Sequence, residues 1–280
     1  MYYQNVGSRL KFSRHTFHIL LILSVTNTHF ICYVTKVTNL SLFKIAARKL
    51  TMDYYENYAD ERQLENCLFC YGEPETKEHV PSKVFLDKPY PDRLYTINIC
   101  SKCNNGFSID EEYIACLIEC AKCNSLKIEN LERKSIKKTL KHAPALLNTI
   151  TNSLYKEDNK FIIDLTDERL QKICLKLAKC HIFYDFSVPL HDEKYSARFY
   201  ILPMLSKVQR DDFEAVYELT KYPEVGSRAA NRICIYKNFL FLKWNIIQEE
   251  RYRYYVNCNN GYQVKIVIRE FLACEFNFYD

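Results

Sequence analysis

The chain has 280 residues, 48% of them hydrophobic and 26% charged, which is ordinary for a globular protein and long enough to bury a sizeable core. Five glycines and eight prolines exclude collagen-like and low-complexity chains. The net charge of +5 does not argue for a polyanionic partner, because it is unevenly placed. Residues 1–51 carry seven Lys or Arg and no acid, whereas residues 52–130 carry eight basic and fifteen acidic side chains. The 13 cysteines point to disulfides or to metal according to their spacing.

In chain order, the leader comes first. Arg9, Lys11 and Arg14 precede a short apolar run at 17–25, a pattern shared with secretory signals. That run is well short of the roughly 20 apolar residues that span a bilayer, and no clear small-x-small cleavage site follows it. Met52 opens an acidic segment that leads straight into the cysteine motif. The reading is that Met52 is the working start and residues 1–51 an upstream extension; a signal or a targeting arm are the other two readings.

A short polar helix is expected over 53–66, and a cysteine-bounded knuckle over 67–107. Ser108 and Glu111 form a capping-box pattern, with Asp110, Glu111 and Glu112 in what would be the first turn, so a helix is expected from Ser108. A second helix is expected from about 131 to 156, with a possible break at Pro144. A third opens at Asp164–Thr166 and carries Leu170, Ile173, Cys174, Leu177 and His181 on one face. Residues 210–220 also read as helical. β-character then rises at 197–202, 233–247, 252–256 and 264–278, with Asn260-Gly261 as a hairpin signal. The fold class is therefore α+β: a small metal-knuckle module over 53–130, then a helical and finally β-rich region over 131–280.

The chemistry-bearing motif is Cys67-Leu-Phe-Cys70, a 29-residue interval, and Cys100-Ser-Lys-Cys103. Two CxxC turns bring four thiolates to one tetrahedral Zn²⁺. Such a set points to a reducing compartment, hence a cytoplasmic location, rather than to disulfides. The interval contains Glu78-His79-Val80-Pro81. Neighbours on an extended strand point to opposite sides, so one of the pair can ligate a metal while the other faces a water. Asn104 and Asn105 follow the last cysteine and offer amide oxygens to the same place.

On these residues, C67-LF-C70, E78-H79-V-P, C100-SK-C103 and N104, the chain resembles the HNH endonuclease superfamily over about 67–113. The resemblance implies a treble-clef (ββα-metal) module with a structural Zn²⁺ on Cys67, Cys70, Cys100 and Cys103. It implies His79 as the general base. It implies Glu78 and Asn104, with Asn105 as a substitute, as holders of a catalytic Mg²⁺ or similar ion. The partner it implies is nucleic acid, DNA more than RNA, with no membrane. Three departures go with it: Pro81 lies two residues after His79, the middle Asn of the motif has Asn98 as its nearest match, and Ser108 stands four residues after Asn104. Glu112 is a further carboxylate within reach. The other function class is a catalytically inactive zinc-binding module that recognises nucleic acid or a protein.

Weaker features have bland counterparts. Arg133, Lys134, Lys137, Lys138 and Lys141 form either a phosphate track or a solvated helix face. Lys102 is a candidate phosphate contact. Cys116, Cys120 and Cys123 share a helix face and read as small core residues, as do Cys180 and His181. Tyr252, Tyr254 and Tyr255 beside Arg251 and Arg253 read as an aromatic strand, lining nucleic acid or packed in a sheet.

Overall fold

The computed structural model describes residues 65–279, Arg93 excepted, together with two short leader segments that pair antiparallel, β1 (Val25–Thr26) and β2 (His29–Phe30). The readings made for residues 1–64, including the signal-like run and the start at Met52, otherwise lie outside the described residues. Asn57–Asp280 form one compact unit of mixed α+β structure.

A turn at 67–72 leads into an antiparallel hairpin, β3 (Thr76–His79) and β4 (Thr96–Ile99). The long excursion between these strands carries a 3-10 turn at Lys83–Phe85, whose Phe85 is buried. Helix α1 (Ser101–Lys122) follows at once. This corrects the expected start at Ser108. The Cys100 sulfur accepts the N–H of Cys103 and caps the helix eight residues before Ser108. Ser108 is thereby placed inside the helix, its hydroxyl donating back to the Asn105 carbonyl. Glu111 and Glu112 therefore gain nothing from the first-turn dipole.

The expected second helix is two helices, α2 (Lys134–His142) and α3 (Pro144–Ser153). Pro144 cannot continue α2 because it lacks the N–H, but it suits the first position of α3. The chain then makes a small hairpin, β5 (Leu154–Glu157) and β6 (Lys160–Ile163), where helix was expected to run to 156. Helix α4 (Glu168–Phe186) begins later than Asp164: that carboxylate is taken by the Thr166 N–H and hydroxyl, and Asp167 caps instead.

The rest is a five-stranded antiparallel sheet in the order β10 (Asn245–Gln248), β11 (Tyr252–Asn257), β12 (Tyr262–Ile268), β13 (Leu272–Phe278), β7 (Tyr195–Ile201). Helix α5 (Lys207–Glu214) and a hairpin of β8 (Cys234–Tyr236) and β9 (Phe239–Phe241) lie between β7 and β10 in sequence. Helix α4 packs on β11, β12 and β13. Phe213 of α5 joins Leu202, Val267, Ala273 and Trp244 in a separate apolar cluster. Strands β12 and β13 are buried on both faces, so their sequence loses its alternation, and 264–278 reads as one strand when it is two. The turn between them, Arg269-Glu270, holds both residues at positive φ (61° and 49°) without a glycine. Helices α1, α2, α3 and α4 and the sheet share one core, so the cysteine module and the C-terminal region are packed together. Among the described residues no helix is long and apolar enough to cross a membrane.

The hairpin signal at Asn260-Gly261 holds: β11 and β12 pair across it. Gly261 has φ +76°, and a Cβ there would stand 2.1 Å from the Phe278 carbonyl oxygen. Gly226 has φ +95° but open space around it. Gly261→Ala is therefore expected to cost about 3 kcal/mol or more, strain and clash together, against about 1 kcal/mol for Gly226→Ala. Urea denaturation of both variants checks this, and equal losses would remove the clash argument.

Candidate metal centre and the adjoining cleft

The first cysteine pair sits in a tight turn. The Cys67 N–H donates to the Gly72 carbonyl at 2.8 Å, the Tyr71 N–H donates to the Cys67 carbonyl at 3.0 Å, and Tyr71 closes the turn at φ 60°. The second pair opens α1, with Cys100 at the cap and Cys103 in the first turn. The four sulfurs lie within 4.8 Å of one another, and Cys70 and Cys100 Sγ are 3.6 Å apart. Thiolates at about 2.3 Å from a tetrahedral zinc stand about 3.8 Å apart, so these residues suit such an ion in donor type and in spacing. The Cys103 N–H, with help from the other thiols, pulls the Cys100 thiol down to about 7, whereas burial and the neighbouring thiols push the Cys103 thiol up. Phe69, Ile99 and Phe107 pack around the cluster.

Strand alternation in β3 separates Glu78 from His79, as the sequence predicts. Both border an open cleft of about 410 Å³ whose other walls include Ser82, Lys83, Ser108 and Glu111. Glu78 is buried and His79 half-buried. Among the described residues nothing hydrogen-bonds the His79 imidazole. Burial, and then the charge of Lys83, hold it below its ordinary value of 6.5, so it is neutral at pH 7.

Glu78 is differently placed. Its Oε1 accepts from Lys176 Nζ at 2.8 Å and from Ser82 Oγ at 2.8 Å. Lys176 also pairs with Glu111 Oε1, and Ser82 Oγ lies 2.5 Å from the same oxygen. The serine has one proton for two carboxylates. Burial pushes the Glu111 carboxyl up, against the pull of Lys176. Burial works against the Lys176 charge, but Glu111, Cys180 and Glu78 together outweigh it and the ammonium is held above its ordinary range.

Asn104 and Asn105 do not line this cleft. The Asn104 amide donates to Thr76 Oγ1 at 3.1 Å, and the Thr76 hydroxyl donates to the Ile99 carbonyl, which ties the start of α1 to the hairpin. Asn105 is exposed. Asn98 pairs with Lys77 in the hairpin register. Glu112 does line the cleft. The ligand set that the resemblance implies for a divalent ion, Glu78 with Asn104 or Asn105, is thus not brought together, and Glu78 already holds an ammonium. The residues present do not fit that ion. Sequence reasoning missed Lys176 and Glu111. A signal for Lys176 exists: it lies three residues after Ile173 and four before Cys180, so α4 turns a lysine onto its apolar face.

The weaker features settle as follows. Arg133 precedes α2 rather than lying on it, is 6% exposed, and donates to Asp87 and to the Val84 and Leu86 carbonyls. It therefore leaves the expected cation stripe, of which Lys134, Lys138 and Lys141 remain exposed. Lys102 is exposed. Cys116 and Cys120 are buried core residues, their thiols pushed by burial up to about 12. His181 is buried between the Tyr95 and Tyr252 hydroxyls. Tyr252, Tyr254 and Tyr255 are all buried, and Arg253 is bound by Glu214 and Glu270, so these side chains belong to the sheet core. In comparisons with known proteins, no family model, no curated protein and no solved structure matches this chain.

Proposed function

We propose that the chain is an HNH-type endonuclease, a hydrolase of nucleic-acid phosphodiester bonds, built on a treble-clef module with a structural Zn²⁺ on Cys67, Cys70, Cys100 and Cys103. One observation carries this reading: His79, neutral and without a hydrogen-bond partner among the described residues, opens onto a cleft from a hairpin whose two ends carry the cysteine pairs. A closed Cys₄ shell leaves no open position, so the zinc holds the hairpin to α1 and does no chemistry. His79 takes the proton of a water in the cleft as that oxygen attacks phosphorus, the phosphodiester P–O bond breaks, and the leaving oxygen departs as an alcohol with a proton from solvent. Lys83, on the cleft wall, offers a positive charge to a phosphate oxygen. Free thiols at all twelve described cysteines suit a reducing, cytoplasmic setting.

The test is cleavage of plasmid DNA, and of RNA as the second substrate, by the purified chain with and without Mg²⁺ or Mn²⁺. His79→Ala is expected to lower the rate by about 10²–10⁴-fold. A base held below 6.5 is mostly unprotonated at neutral pH, so the rate should rise with pH to a plateau and pass half of it below pH 6.5. Cleavage that survives unchanged in His79→Ala, or a rate that falls over that rise, removes His79 from the chemistry. The second reading, a zinc module that binds nucleic acid or protein without cutting, is favoured by one observation: Glu78 is locked to Lys176 and Ser82. Absence of cleavage with every substrate and ion supports it.

A further inference from the structure

The geometry points to Lys176 as the resident cation beneath the cleft: its ammonium holds Glu78, the carboxylate to which the HNH resemblance gives a divalent ion, together with Glu111, and the site takes no such ion. Lys176 comes from α4, 98 positions from Glu78 in sequence and 65 from Glu111. It is 2% exposed. Its three N–H donors meet three acceptors, Glu78 Oε1, Glu111 Oε1 and, at 3.2 Å, Ser82 Oγ. The Phe107 ring lies beneath, with its centre 5.2 Å from Nζ. The ammonium is thus saturated and buried.

A divalent ion would need this position. Mg²⁺ asks for six oxygens at about 2.0–2.1 Å, and the carboxylate oxygens that converge here converge on nitrogen. Displacing the ammonium would leave a lysine charge unpaired in the core, which a buried site does not tolerate. The two carboxylates are equally dependent on it, since both are buried and like-charged neighbours cannot both stay ionised without a cation. Lys176 is accordingly a positioning residue: it fixes the Glu78 carboxylate and with it β3, whose next residue, His79, borders the cleft. Its bearing on catalysis rests on the hydrolase reading above; its occupation of the cation position does not.

Two measurements test this on the full, zinc-loaded chain. The first is Mn²⁺ binding, read as loss of the free-ion electron spin resonance signal. The native chain and Glu78→Gln should bind Mn²⁺ alike, with no site tighter than about 1 mM. Lys176→Met should gain one site per chain, and Lys176→Met with Glu78→Gln should lose it again. A native site removed by Glu78→Gln overturns the inference, as does a folded Lys176→Met chain that gains none. If Lys176→Met does not fold, the comparison of native chain with Glu78→Gln still decides. The second is cleavage. His79-dependent cutting that proceeds equally with and without added Mg²⁺ supports the inference, whereas cutting that requires Mg²⁺ and loses that requirement in Glu78→Gln overturns it. A chain that never cuts ends the hydrolase reading, and the Mn²⁺ result then stands alone.

Discussion

Asp87→Ala is expected to destabilise the protein by about 3–5 kcal/mol, because it leaves buried charges without their partner. Asp87 lies on the excursion between β3 and β4. One oxygen accepts from Arg133 Nε at 2.9 Å, and the other from Arg251 Nε and Arg269 Nη1, both at 2.6 Å. Arg133 and Arg269 are almost wholly buried. The nearest other buried carboxylate, Glu119, uses one oxygen for the N–H groups of Glu132 and Arg133 and keeps the other 4.0 Å from Arg269. It cannot replace Asp87. The same contact secures the positive-φ turn at Arg269-Glu270, so β12 and β13 lose their clamp together with the excursion.

The pH dependence has a definite sign. Burial acts to raise the Asp87 carboxyl, but the bond and charge of Arg269, and then Arg133, outweigh it and hold the group below its ordinary value of 3.8. A depressed carboxyl stabilises the fold above about pH 3.8, and that contribution is lost as pH falls through the depressed value. Urea denaturation at neutral pH and again near pH 3 checks both parts. Asp87→Ala should trail the native chain widely at pH 7 and less in acid. Stabilities that agree to within about 0.5 kcal/mol at pH 7, the usual scatter of surface changes, would end the argument.

Removing the ion from the cysteine cluster is expected to have the largest local effect. Structural zinc on thiolates is worth about 10–16 kcal/mol in small domains, and the apolar cluster at the ligands is small: Cys67, Ile99 and Cys100, with Phe69, Cys103 and Phe107 against them. Chelation, or Cys103→Ser, should therefore release the 65–75 turn and fray the first turns of α1. The sheet should survive, because β11, β12 and β13 pack on α4 and share no ligand with the cluster. Hydrogen exchange should show protection lost at 67–107 and kept at 252–278. Metal analysis should find one zinc per chain. A reduced, freshly purified chain without any ion, and with 67–107 still protected, would remove the zinc assignment.

What was legible in the sequence was local. Two CxxC turns declare themselves because a turn of four residues presents two sulfurs whatever surrounds it, and the structure gathers all four. Alternation along an extended strand likewise separates Glu78 from His79 without outside help. The α4 stripe and the Asn260-Gly261 turn were readable for the same reason: each is decided by residues a few positions apart. The helix start was misread because the cap at Cys100 is a sulfur, and Ser108 carries the more familiar pattern.

Partners that meet in the core could not be read this way. Lys176 reaches Glu78 and Glu111 across 98 and 65 positions, and Asp87 reaches Arg269 across 182. A buried charge needs a counter-charge, but it does not say which one, and the answer depends on how α4 and the sheet pack against the hairpin. By itself, then, the sequence determined a four-cysteine knuckle, a Glu-His pair on one strand and a mixed α+β chain. Tertiary structure alone decided that Asn104 ties the hairpin to α1, that Arg133 and the 252–255 strand belong to the interior, and that the cation beside Glu78 is a lysine. The physical reason is that local geometry follows from short spacings, whereas the electrostatics of a buried site follows from which distant charges the packed core forces together.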